Sequence, residues 1–398
     1  MANHPAHSQL VQSQIQEAGS IVINQMVYDK KRANEDVTVL SLGEAFFKIP
    51  QLKVGDSLFE KGYHYCESQG LPSLREKIGE YYKNNFEVSC NPDTNVLITS
   101  GSKAAIYMAL RATINPGEEV ILWDPFWLSY NEQIILAHGV PKPMPYDADL
   151  MKIESFITDK TKLIILNNPN NPSGQIITKE EIEHVYSVCQ KHGCFLLIDE
   201  AYSDFCLDGD FYSGGRLSDD LEGLIICNSL SKNFGLSGWR VGYILASEST
   251  VRQVLKLNQH INTCAPTLLQ IYIDEHFETL QEITTPQVQD VLKRRTKVKS
   301  IIDELELKVM PGNATFYFML DISKSKKKSM DFAQDLLSKY NIAVVPGIHY
   351  GPSVDNFVRI GVGTETTERI RNALKTIKSL LNSKKRPNSP NTEKEFPL

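Results

Sequence analysis

The chain has 398 residues, 41% of them hydrophobic and 23% charged, with a formal net charge of −6. That is enough apolar material for a sizeable core in two or three domains, and it excludes wholesale disorder. A net negative chain whose densest basic cluster is the short run 324–328 is expected to bind no nucleic acid, and that run reads as a solvated loop.

At the N-terminus, residues 1–20 lack a basic region followed by an apolar core, so they do not read as a secretory leader. No stretch reaches the roughly 18 apolar residues that a transmembrane helix requires, and no membrane partner is expected. Seven cysteines, at 66, 90, 189, 194, 206, 227 and 264, are odd in number, scattered and free of any C-x-x-C pair. They imply a reducing cytoplasm, mostly buried thiols and no metal site.

From residue 96 onward, short β-rich runs at 96–99, 120–123, 163–166, 195–198, 224–227 and 243–246 alternate with longer helical patterns. Runs apolar on both faces, separated by helices, are the mark of βαβ units and a mostly parallel sheet covered on both sides. A helix at 103–113 is expected to stop at Asn115-Pro116-Gly117, and one at 179–192 to start after Thr178 and stop at Gly193. After about residue 285 the character changes: helix 287–305, strand 315–320, helix 329–340 and strands 342–345 and 357–362 predict a smaller α+β unit. The expected division is an N-terminal segment 1–45 joining that small unit, a large α/β domain 46–284, the small domain 285–381 and a disordered tail 382–398. The tail combines charge, Pro, Ser and Asn with almost nothing to bury.

Four features carry chemistry. Ser229-Leu230-Ser231-Lys232 follows an apolar strand and precedes Gly238-Trp239-Arg240-Val241-Gly242. A desolvated lysine can supply a neutral amine that forms a Schiff base, while Ser229 and Arg240 suit a phosphate. Alternatively the lysine belongs to a loop and the arginine anchors the core. Asp199, in Ile198-Asp199-Glu200-Ala201-Tyr202, ends a strand where open α/β sheets bind ligands; it could pair with a protonated ring nitrogen or simply cap a helix. Asn167 to Gly174 follows another strand and holds two X-Pro bonds, which fix a tight turn. Thr99-Ser100-Gly101-Ser102-Lys103 opens a helix, where free N–H groups can hold an anion.

In this order the four features resemble the fold-type I pyridoxal 5′-phosphate (PLP) enzymes, specifically class I/II aminotransferases. The resemblance runs from Gly43 to Arg359 and is carried most specifically by S-x-S-K-x(5)-G-x-R-x-G. It implies a large domain with a seven-stranded-type, mostly parallel sheet sandwiched by helices, and a second α+β domain. It also implies that Lys232 carries PLP as a Schiff base and shuttles the proton. Asp199 would hold the pyridine nitrogen protonated, and Tyr202 and Asn171 would bond the phenolic oxygen. Gly101, Ser102, Lys103, Ser229 and Arg240 would surround the phosphate, and Trp127 would stack on the ring. Tyr65 matches a tyrosine that reaches the phosphate of the neighbouring subunit, which implies a homodimer with shared sites. Arg359 matches the clamp for the substrate α-carboxylate, and Gly43, Asn313 and Tyr350 match pocket positions.

Serine stands at 173 where threonine is commoner, and no second arginine matches one that binds a side-chain carboxylate, although Lys103 sits where some relatives contact acidic side chains. The expected reaction is transfer of an amino group from a broad range of L-amino acids to 2-oxoglutarate or pyruvate. The alternative is a lyase or synthase on the same fold, since fold alone does not fix chemistry. A ligand-sensing regulator with a DNA-binding module fits poorly with the net charge.

Overall fold

The computed structural model describes residues 8–207 and 211–382. Apart from Asn382, the last residue of a helix, the tail expected at 382–398 lies outside the described residues.

Twelve strands are found among the described residues: β1 (Thr38–Val39), β2 (Val96–Thr99), β3 (Glu119–Trp123), β4 (Val140–Met144), β5 (Thr161–Asn167), β6 (Phe195–Asp199), β7 (Leu224–Ser229), β8 (Gly242–Ala246), β9 (Tyr317–Asp321), β10 (Ile342–Ala343), β11 (Val345–Pro346) and β12 (Phe357–Gly361). Seven form one sheet in the order β2-β8-β7-β6-β5-β3-β4. It is parallel except at β8, which runs antiparallel to both β2 and β7. The period-2 alternation of a strand explains why these runs are apolar throughout. Ile164, Leu166, Leu196, Ile198 and Ile226 join one core, whereas Leu163, Ile165, Leu197 and Ile225 join a second core on the other face.

The helix Lys179–His192 has the ends its sequence expects. Thr178 and Glu181 form a reciprocal capping box, and Gly193 closes the helix at φ 64°. The strand β4 was not legible in the sequence, because Pro141 and Pro143 interrupt its run; its place at the sheet edge tolerates the missing N–H donors.

The smaller sheets are β11-β12-β9, all antiparallel, and the parallel pair β1-β10. The single strand expected at 342–345 is therefore two: Ile342–Ala343 pairs with β1, and Val345–Pro346 pairs with β12. The strand expected from 315 starts at Tyr317, because Thr315 sits at φ 59° and its hydroxyl accepts the Tyr317 N–H at 3.2 Å. The helix expected from 287 instead spans Phe277–Glu304 with Pro286 inside it. Burial of Phe277, Leu280 and Thr284 on one face outweighs the hydrogen bond that the proline removes. This helix passes through residues 284 and 285 without a break. Among the described residues no helix is long and apolar enough to cross a membrane.

Candidate active site

Strand register assembles the site. Asn167 pairs with Asp199, Ser229 pairs with Gly242, and Gly242 pairs with Thr99 on its other side. The ends of β2, β5, β6 and β7 and the start of β8 thus lie along one edge of the sheet, where open α/β sheets take their ligands. A cavity of about 540 Å³ opens there. Its walls include Gly43, Ser102, Lys103, Trp127, Asn171, Asp199, Tyr202, Ser229, Lys232, Arg240 and Arg359 from the sequence-predicted set.

Lys232 follows β7 and its Nζ donates to the Gly43 carbonyl at 2.6 Å. Burial, reinforced by the Arg359 and Arg240 cations and opposed by Glu44 and Asp199, lowers its amine to about 8. A substantial neutral fraction is then present near physiological pH, as a nucleophile or base requires.

Asp199 is 5% exposed, and burial raises its carboxyl above the usual range. The Tyr130 phenol donates to Oδ2 at 2.6 Å and the Ala201 N–H donates to Oδ1 at 3.1 Å, both favouring the anion. Asn167 Nδ2 donates to the Asp199 carbonyl at 2.9 Å, and its Oδ1 accepts the Asn171 N–H at 2.7 Å, so the Asn-rich turn is tied to the end of β6. The Asn168–Pro169 bond in that turn is cis. Tyr202 lies 3.4 Å from Asn171 Nδ2 and 2.8 Å from the Tyr317 hydroxyl.

The other end of the cavity is built for an anion. Ser102 starts the helix Ser102–Thr113, whose first N–H groups lack intrahelical partners. Arg240, at φ 57°, donates to Ser237 O at 2.8 Å and lies 3.4 Å from Ser231 Oγ, which accepts from Ser229 Oγ at 2.7 Å. At Gly101, φ 83°, a Cβ would come 2.4 Å from Arg240 Nη2, so only glycine lets the guanidinium approach. The Lys103 amine, lowered by burial and by Arg240, sits 5.1 Å from the Trp127 ring centroid.

Arg359, on β12, is 3% exposed. Nη2 donates to Ser41 O at 2.7 Å, Nη1 donates to Asn171 Oδ1 at 3.3 Å, and Nε is buried without a hydrogen-bond partner. The guanidinium stacks 4.4 Å from the Tyr317 ring and 5.4 Å from the Tyr350 ring.

Four predicted positions do not line the cavity: Gly101 is buried under Arg240, Tyr65 is 82% exposed, Tyr350 is fully buried behind Arg359, and Asn313 is exposed. Conversely, sequence reasoning missed Tyr130, Tyr317, Glu44 and Ser231, and the helix Gly19–Arg32, whose Ile21, Asn24 and Tyr28 face the cavity. Ser231 lies within a motif already singled out and Tyr130 three residues after Trp127; Tyr317 and Asn24 carry no local signal, because only the tertiary fold brings them there.

The chain belongs to the family "Aminotransferase class I and II", whose model matches residues 38–377. It is 32% identical over 348 residues to the (5-formylfuran-3-yl)methyl phosphate transaminase of Methanocaldococcus jannaschii, covering 86% of this chain and 91% of that one. It is 29% identical over 362 residues to the aspartate aminotransferase of Thermotoga maritima, covering 89% and 93%. The solved structure of a Thermotoga maritima aspartate aminotransferase superposes with a TM-score of 0.84 at 27% identity, over 95% of this chain and 100% of that one. The protein is a PLP-dependent aminotransferase with the α/β fold of that family. The residues present fit PLP: a helix N-terminus with hydroxyls and a guanidinium for the phosphate, a buried carboxylate for the ring nitrogen, and a lysine amine between them.

Proposed function

We propose that Lys232 is the residue that binds PLP covalently and moves the substrate proton, with Asp199 facing the ring nitrogen. The observation that carries this reading is the convergence of Lys232, Asp199 and Arg359 on one cavity. When bound, PLP supplies an electron sink for the charge left at the substrate Cα. The chain supplies the rest. Asp199, whose anionic form Tyr130 and Ala201 favour against burial, would hold the ring nitrogen protonated; Tyr202 and Asn171 would bond the ring hydroxyl. Gly101, Ser102, Lys103, Ser229 and Arg240 take the phosphate, and Trp127 covers the ring. Arg359 takes the α-carboxylate with its paired donors, which orients Cα toward the Lys232 amine. Gly43 lends its carbonyl to that amine until substrate enters.

The reaction passes the amino group of an L-amino acid to a 2-oxo acid, 2-oxoglutarate or pyruvate. The names of the relatives support transamination over elimination. Ile21, Tyr28, Trp127 and Leu128 around the cavity support donors with sizeable side chains. Tyr65, together with the exposed Phe46, Phe59 and Tyr63, supports a homodimer in which Tyr65 completes the partner's phosphate site. Buried thiols at Cys189, Cys194 and Cys227 support a cytoplasmic protein. The small domain is assigned to 285–381 together with 1–45, supported by the pairing of β1 with β10. Borohydride reduction of the PLP-loaded protein followed by peptide mapping tests the assignment: the label belongs on Lys232, and an unlabelled Lys232 would overturn it.

A further inference from the structure

Next to Asp199, but outside the cavity wall, Glu200 is fully buried. Its Oε1 accepts the Gly214 N–H at 2.8 Å and the Ser213 hydroxyl at 2.9 Å, and its Oε2 accepts the Tyr82 hydroxyl at 3.1 Å. Every one of these partners is neutral, and among the described residues no cation hydrogen-bonds to it. The ionisable groups that face it are all acids: Asp199 beside it, Tyr82 from the helix Pro72–Phe86, Cys227 from β7 and Tyr243 from β8. Burial, opposed by the Gly214, Ser213 and Tyr82 donors and aided slightly by the Asp199 charge, pushes its carboxyl up to about 8.

The contacts of Glu200 join two parts of the site from behind. Its N–H donates to the Cys227 carbonyl at 2.8 Å. Tyr82 Oη accepts from Asn228 Nδ2 at 2.8 Å, and Asn228 Oδ1 accepts the Ser229 N–H at 2.7 Å. A continuous chain of bonds thus runs from the residue after Asp199 to Ser229.

We propose that Glu200 is a positioning residue, held as a neutral carboxylic acid, that braces Asp199 and Ser229 at a fixed separation. The inference rests on the roles given to those two residues above. A neutral Glu200 adds no second negative charge behind Asp199, while its hydrogen bonds, relayed by Tyr82 and Asn228, set where the phosphate end begins.

Glu200→Gln and Tyr82→Phe in the full chain test this. In the protein stripped of cofactor, difference infrared spectra should contain a protonated carboxyl band that Glu200→Gln removes. A folded-state pKa raised above the unfolded one gives stability that is complete at acid pH and lost as pH rises through about 8. Wild-type stability should therefore fall more steeply between roughly pH 5 and pH 9 than that of Glu200→Gln. The glutamine variant, which copies the neutral acid, should keep its PLP dissociation constant within about threefold, whereas Tyr82→Phe, which breaks the relay, should weaken PLP binding about tenfold. Absence of the band, parallel stability curves, a tenfold loss in Glu200→Gln or unchanged affinity in Tyr82→Phe would each overturn the proposal. The infrared and stability arms need no cofactor, so they remain readable even if Lys232 proves not to be the attachment site.

Discussion

The Tyr130 phenol and the Asp199 carboxylate meet at 2.6 Å at the end of β6, in a position where both are almost fully buried. The tyrosine is held well above its usual range by burial and by that anion, so it stays a donor. It is thus a fixed source of stabilisation for the Asp199 charge.

Removing that donor should make the anion harder to form. Tyr130→Phe is expected to raise the Asp199 carboxyl further, moving the acid limb of kcat/KM to higher pH, and to cost about 1–3 kcal/mol of cofactor affinity. Titrating PLP against the variant and recording its pH-rate profile measures both; an unmoved acid limb would detach Tyr130 from the chemistry.

The Lys232 amine titrates near 8 before cofactor enters, and only its neutral form is nucleophilic. The rate at which stripped protein takes up PLP covalently should therefore climb as pH rises toward about 8 and level off above it. Stopped-flow absorbance gives the profile, and Lys232→Ala should show no covalent phase at any pH.

Arg359 offers two parallel donors from a buried guanidinium. Arg359→Ala should raise KM for the amino donor roughly thirtyfold or more, in line with about 2–5 kcal/mol for a buried charge pair. Arg359→Lys should recover little, since an ammonium cannot reproduce the fork. Donors lacking the carboxylate should be indifferent to both changes in a steady-state comparison.

Gly101→Ala places a methyl 2.4 Å from Arg240 Nη2 and leaves it at an unfavourable φ. PLP affinity should drop at least tenfold as the guanidinium is displaced, a loss of about 1.5–3 kcal/mol from one charge-assisted hydrogen bond. Equilibrium dialysis would register it, and inorganic phosphate should protect the variant less than the wild type.

If Tyr65 serves the neighbouring subunit, inactive Tyr65→Ala and Lys232→Ala chains should regain activity when mixed under conditions of subunit exchange. Half of each hybrid's sites would then carry neither lesion. Exchange without recovery would mean that each chain holds a complete site.

Sequence patterns exposed the large sheet because its strands are buried on both faces and its turns sit at their ends: β2 and the helix Lys179–His192 were legible to their termini. Legibility failed where long-range packing overrode local preference. The helix expected from 287 begins ten residues earlier and runs through Pro286, and Pro141 and Pro143 hid an edge strand. The same divide runs through the site. Asp199, Lys232 and Arg240 stand in dense local motifs, whereas Asn24 and Tyr317 reach the cavity from elements distant in the chain.

The carbonyls of Ser41 and Gly43 hold Arg359 and Lys232, two residues apart on one strip of backbone. If Arg359 takes the substrate carboxylate as proposed, an incoming amino acid trades places with the protein's own acceptor there, and its affinity is an exchange constant, net of the bond that Ser41 gives up. Donor affinity would then be tunable through the ease with which the Ser41 carbonyl finds water or a new partner, without altering a side chain that lines the cavity.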